Sequence, residues 1–129
     1  MKERGLADTS VFIARESDRP IDIEAMPHQM AVSVITIGEL RAGVLAAADT
    51  ATRDRRLDTL TAALSLEPIP IDVSVANAWA RLRLALRDAG LRMPVNDSWI
   101  AATAMALDVP IVTQDDDFPT LAALDVIHV

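Results

Sequence analysis

Residues 96–118, NDSWIAATAMALDVPIVTQDDDF, decide the fold. Asn96 is expected to cap a helix that runs to about Leu107. Val109 to Thr113 then forms a short run rich in β-branched residues, the pattern of a buried strand. An acidic turn over Asp115 to Pro119 closes it. A helix feeding a fully apolar strand is the repeat of an α/β architecture, in which parallel strands are covered on both faces.

Working outward, the same alternation recurs. Val73 to Ala89 predicts the best-defined helix, with Ala76, Trp79, Ala80, Leu82 and Leu86 facing inward and Gly90 as its stop signal. Leu91 to Val95 is a loop. Ile69 to Ile71 is a strand whose flanking Pro68 and Pro70 suit a sheet edge. Residues 52–66 predict a helix with Leu57, Leu60 and Leu64 on its apolar side and Arg53, Arg55 and Arg56 outside. It pairs with a helix from Thr36 to near Asp49, where Ile37, Leu40, Val44 and Leu45 share a face. Ala31 to Val34 is a strand, residues 18–30 hold one short helix, and Leu6 to Ala7 is a strand ending in the polar turn Asp8, Thr9, Ser10. Ser10 would cap a helix over Val11 to Arg15. Past Pro119, Thr120 to Leu124 is a short helix and Val126 to Val129 a last strand. The expectation is an α/β fold, one domain over residues 1–129, with a mostly parallel central sheet of four to five strands flanked by helices on both faces. Ligands of such sheets bind at the carboxyl ends of the strands, so Asp8 and Asp115 should rise at one edge.

The 129 residues suit one domain. A composition 51% hydrophobic and 24% charged is that of a folded globular chain. Absence of cysteine excludes disulfides and thiolate zinc sites. No apolar run approaches the ~18 residues of a membrane span, and the first apolar stretch is broken too early for a signal peptide, so a cytoplasmic location with no membrane contact is expected. The net charge of −7 argues at first against nucleic acid. If Asp8, Glu39, Asp97, Asp115, Asp116 and Asp117 share one site, however, 13 of the 19 acids remain against 12 bases. All of those bases but Lys2 are arginine, whose planar fork suits phosphate.

Each acid alone has a structural explanation. Glu39 stands three residues after Thr36, as in a capping box. Asp97 lies in a first helical turn, where the dipole favours a carboxylate, and Asp117 could cap the last helix. Together they lie at the ends of buried elements. Carboxylates about 4 Å apart repel by about 4 kcal/mol per pair at an effective dielectric near 20, so converging acids need an offsetting charge. Hard divalent ions prefer such oxygen ligands, which favours Mg²⁺ or Mn²⁺ over zinc.

The segments LADTSVFI (6–13), SVITIGEL (33–40), NDSWIAATA (96–104) and IVTQDDDF (111–118) resemble the four blocks of the PIN-domain family, in the same order and across nearly the whole chain. The chain is similar in particular to short stand-alone members, the VapC-type toxin ribonucleases. By position, Asp8, Glu39, Asp97 and Asp115 match the family's acidic tetrad and Asp117 its frequent fifth acid; Ser10 and Thr113 match the supporting hydroxyls. Gln114 departs from a position that is often basic, and Asp116 is an additional charge.

The resemblance implies an endoribonuclease that uses metal-activated water and leaves a 5′-phosphate and a 3′-hydroxyl. Asp8, Asp97 and Asp115 are expected to hold the metal, Glu39 to orient or deprotonate the attacking water, and Asp117 to support a second ion or tune the first. It further implies an RNA substrate, a VapB-like antitoxin docked near the helical pair at 36–66, and a homodimer. Arg41 and Arg92 lie nearest the proposed site by sequence and are the candidate substrate contacts. The groups Arg53, Arg55, Arg56 and Arg81, Arg83, Arg87 read first as solvated helix faces, with RNA contact the sharper alternative. His28 and His128 read as surface or packing residues, Trp79 and Trp99 as core, and Met26 and Met30 as gap fillers.

Three rivals remain at this point. A phospho-acceptor receiver domain also carries acids at strand ends, but relies on a lysine late in the chain. The only lysine is Lys2. A catalytically inactive RNA-binding or scaffold module would not need concentrated negative charge, and a structure-specific DNA nuclease related to PIN domains normally carries longer insertions.

Overall fold

The computed structural model describes residues 3–129, so Met1 and Lys2 lie outside the described residues. The first strand, β1 (Arg4–Ala7), is followed by α1 (Thr9–Glu16), β2 (Gln29–Val32), α2 (Val34–Leu45), α3 (Thr50–Leu64), α4 (Val73–Ala89), α5 (Val95–Leu107), β3 (Ile111–Thr113) and β4 (Val126–His128). The four strands pair in the order β2-β1-β3-β4, and every pairing is parallel.

Because strand side chains alternate between faces, adjacent residues of β1 enter different cores. Leu6 packs with Leu82, Leu86, Ile100, Ala104 and Ile111 on the side of α4 and α5. Ala7 packs with Phe12, Val32, Leu40, Val44 and Leu60 on the side of α1, α2 and α3. The sheet is thus covered on both faces, as expected. No helix among the described residues is long and apolar enough to cross a membrane.

Several local expectations change. Ile69 makes one parallel bridge to Ser33 and no strand forms around it. The segment Thr120 to Leu124 is a turn with a Leu121–Leu124 bridge; five residues after a proline are too few to repay helix nucleation. Between Asp18 and Met30 the only helical element is the 3-10 turn Ile23–Ala25. Ala31 and Val32 lie in β2, but Val34 already belongs to α2, whose cap is Ser33 accepting the Ile35 N–H at 3.0 Å. Thr36 is therefore inside the helix, and Leu45 is exposed. In α3 only Leu60 of the predicted leucine stripe is fully buried, while Leu57 and Leu64 are partly exposed.

In α4 the buried stripe is Val75, Ala78, Leu82 and Leu86. Ala76 and Ala80 face solvent. Gly90 ends this helix in the left-handed region, at φ 69°. Trp79 and Trp99 are half-buried and stack against each other, with centroids 4.4 Å apart, beside Val75, Ala78 and Ala102. Pro94, not Asn96, precedes the first residue of α5.

Gly5, on the inner strand β1, leaves no room for a side chain. A Cβ there would lie 2.8 Å from Val112 Cγ2 and 2.9 Å from Pro27 Cγ, both buried. Overpacking of this kind costs about 1–3 kcal/mol. Gly5→Ala is expected to lower unfolding free energy by about that amount in urea titration; a wild-type midpoint would show that the sheet relaxes around the methyl.

Candidate active site

Parallel pairing puts the carboxyl ends of β1 and β3 side by side, and Asp8 N–H donates to the Val112 carbonyl at 2.9 Å. Asp8 is 2% exposed. Its Oδ2 accepts hydrogen bonds from Ser10 Oγ (2.7 Å) and Thr113 Oγ1 (2.9 Å). A hydroxyl has one proton, so both are spent on Asp8. The lone pairs of these hydroxyls then receive the next residues of the acidic loop: Gln114 N–H donates to Ser10 Oγ at 3.0 Å and Asp115 N–H to Thr113 Oγ1 at 2.9 Å. Ser10 is therefore not a helix cap. It lies within α1, and with Thr113 it ties the end of β1 to the loop carrying Asp115. Gln114 also donates from Nε2 to the Pro20 carbonyl at 2.8 Å, anchoring the loop from its other side.

Glu39 has its own support. Thr9 Oγ1 donates to Glu39 Oε1 at 2.7 Å. With that proton committed, the 2.9 Å contact between Thr9 and Thr36 requires Thr36 to donate to Thr9. Thr36 is wholly buried, and its role is to hold Thr9 and, through it, Glu39, in place of the capping box expected from sequence. Asn96 Nδ2 reaches Glu39 Oε2 from α5 at 3.5 Å. Thr9, Thr36 and Asn96 were not singled out for this role by sequence; the i, i+3 spacing of Thr36 and Glu39 on α2 was the available signal.

Asp97 lies in the first turn of α5, half-buried. Its carboxyl is pushed up to about 6, first by burial and then by the charges of Asp8, Glu39, Asp117 and Asp115. The helix N-terminus favours an anion, yet here burial and like charge outweigh it. Asp115 is raised too, by burial first and then by Asp8 and Asp117, while Arg19 works in the opposite direction. Four acids from three other segments therefore bear on Asp97. Arg19 is the cation that bears on Asp115, and its position gave no sequence signal.

The donor chemistry fits a hard divalent cation. Every candidate ligand is a carboxylate oxygen, and among the described residues the side-chain hydrogen bonds to the Asp8 carboxylate fall on Oδ2. Among the described residues, no three acidic or histidine side chains stand in ligating geometry. The carboxylates lie near enough to bear on Asp97 and stand too far apart to close on one ion.

The remaining residues fall into place around this edge. Asp117 is exposed and belongs to the acidic group. Asp116 points outward toward His128 Nε2 at 3.7 Å, and that nitrogen also lies 3.1 Å from the Asp115 carbonyl. Arg41 is exposed on α2. Arg92 lies in a cleft with Arg83 and Arg87 at the start of α5.

The PIN domain model matches residues 6–124. Ribonuclease VapC5 of Mycobacterium tuberculosis is 48% identical over 128 residues, covering 97% of this chain and 95% of the relative. Ribonuclease VapC4 of the same organism is 48% identical over 126 residues, covering 98% and 97%. In the crystal structure of the toxin–antitoxin system VapBC-5 from M. tuberculosis, a chain 44% identical superposes with a TM-score of 0.90, covering 98% of this chain and 99% of that one. Fold, blocks and near end-to-end similarity agree: the chain belongs to the PIN-domain family.

Proposed function

We propose that the chain is an endoribonuclease dependent on Mg²⁺ or Mn²⁺ and the toxin of a toxin–antitoxin pair. The observation that carries this reading is the hydrogen-bonded frame at the carboxyl ends of β1 and β3, where Ser10 and Thr113 hold Asp8, Thr113 also receives the Asp115 N–H, and Thr9 holds Glu39. Concentrated negative charge at a buried edge has no use in a module that only binds RNA, which disfavours the scaffold alternative. Relatives named as VapC ribonucleases, and a similar chain solved in a toxin–antitoxin complex, support the substrate class and an antitoxin partner.

When bound, a divalent ion lowers the pKa of water and clamps the phosphoryl oxygens. Asp8, Asp97 and Asp115 are the residues that would hold it. Asp8 is pre-aimed, because Ser10 and Thr113 fix Oδ2 and leave Oδ1 to the site. Glu39, steered by Thr9, orients the attacking water or takes its proton. Asp117, on the exposed loop, adds charge for a second ion or tunes the first. The products would carry a 5′-phosphate and a 3′-hydroxyl.

Two outcomes test these assignments. With single-stranded RNA and magnesium, Asp8→Asn and Glu39→Gln should each lower kcat by about 10²-fold or more, and EDTA should abolish cleavage until Mg²⁺ or Mn²⁺ is restored. Full magnesium-dependent cleavage by Asp8→Asn in a pure preparation would remove the metal-ligand assignment.

The second concerns stability without metal. Asp97 has a folded-state pKa near 6 against an ordinary value of 3.8, so the folded chain binds this proton more tightly than the unfolded chain does. Its contribution is full below about pH 4 and is lost as pH rises through 6. In EDTA, Asp97→Asn should therefore melt above wild type at pH 7, with the gap closing toward pH 4. Adding Mg²⁺ should raise the wild-type Tm more than the variant's. A gap independent of pH would mean that Asp97 does not feel its acidic neighbours.

A further inference from the structure

Away from the acids, the chain carries a concentration of opposite charge that the site chemistry does not use. Arg83 and Arg87 on α4 and Arg92 on the following loop line a cleft of about 260 Å³, whose walls include Leu86, Met93 and Ser98. In a chain of net charge −7, three guanidinium groups meet there with one carboxylate at hand: Asp88, 3.5 Å from Arg87, in a pair exposed on both sides and worth little in water. No ion pair ties up Arg83 or Arg92 among the described residues.

Arg83 is held in place without being neutralised. Its guanidinium lies 4.8 Å from the ring centre of Trp79, which stacks on Trp99, and Trp79 Nε1 donates to Ser98 Oγ at 3.0 Å. A cation over an indole face keeps its charge while losing side-chain freedom, so its N–H donors stay available at reduced entropic cost.

The cleft and the acids share one structural element. Val95 and Ser98 line the cleft, and Asp97 lies between them in the first turn of α5. A phosphodiester strand meets the two needs such an arrangement sets: one phosphate at the acids proposed to hold metal, and another where guanidinium forks can take its oxygens in pairs.

We propose that Arg83, Arg87 and Arg92 form a phosphate subsite that holds the RNA strand beside the scissile bond. The proposal deepens the ribonuclease reading and rests on it for the identity of the strand. The cleft supplies the sequence-independent grip that the acidic site, repelling phosphate in the absence of metal, cannot provide.

The test is binding of a short unstructured, fluorescently labelled RNA to the full chain in EDTA, read by anisotropy across a salt series. Arg92→Ala and Arg83→Ala should each raise Kd by about three- to tenfold and reduce the slope of log K against log salt by about 0.7. Arg92→Lys should recover part of the loss, and Arg55→Ala, on α3, should bind as wild type. Arg92 is exposed, so its variants keep the test readable if Arg83→Ala disturbs the tryptophan stack. Equal binding by wild type and the Arg92 and Arg83 variants, including none by any of them, would overturn the subsite, as would loss of affinity only for an acidic protein partner. Cleavage assayed in parallel with Mg²⁺ separates the two levels. A wild-type chain that cuts no RNA while the arginine variants lose RNA binding removes the nuclease reading and leaves the subsite standing.

Discussion

Repulsion between carboxylates is the constraint around which the rest of the molecule is arranged. Asp8, Glu39, Asp97, Asp115 and Asp117 come from four separate segments, and the parallel sheet and the helices that follow its strands bring the other four to bear on Asp97. A chain with only marginal net stability tolerates this because the rest of the fold fixes the acids through neutral donors. Ser10 and Thr113 give both of their protons to Asp8, and Thr9 gives its proton to Glu39. Hydroxyls and backbone N–H groups hold the carboxylates in position without cancelling their charge, leaving a strong local field for a cation to answer.

The topology is legible in the longest apolar patterns, and the acids in their positions at element ends. The edge shared by Asp8 and Asp115 followed from parallel strands alone, and β1 and β3 are indeed neighbours. Ser10 and Thr113 were marked as supporting hydroxyls by the resemblance, and both donate to Asp8; what escaped was the part played by Thr9, Thr36 and Asn96 around Glu39. Thr36 reads as a helix cap because hydroxyls occur at caps more often than inside helices, and only the tertiary approach of α1 to α2 reveals that it binds Thr9.

Phase errors had a different cause. In α4, alanines at 76, 78 and 80 offer nearly equal hydrophobicity on every face, so the stripe was placed on Ala76 and Ala80 when Val75 and Ala78 carry it. Trp79 and Trp99 were expected to be core, and they do pack against aliphatic neighbours, but their stack is half-open and bears Arg83. Residue type located them on the right helix. It could not say that the ring faces would organise a charge.

The single bridge at Ile69 has a consequence for the open margin of the sheet. Ile69 turns both of its backbone groups inward, donating to Val32 at 2.7 Å and accepting from Val34 at 3.1 Å. In an extended chain the residues on either side point the opposite way, and here these are Pro68 and Pro70, neither of which has an amide hydrogen. A passing strand would meet carbonyls with no donors between them, a poor template for cross-molecular zippering. The chain thus blunts the β2 margin of its sheet as a template for strand addition, and does so with three residues in place of a fifth strand.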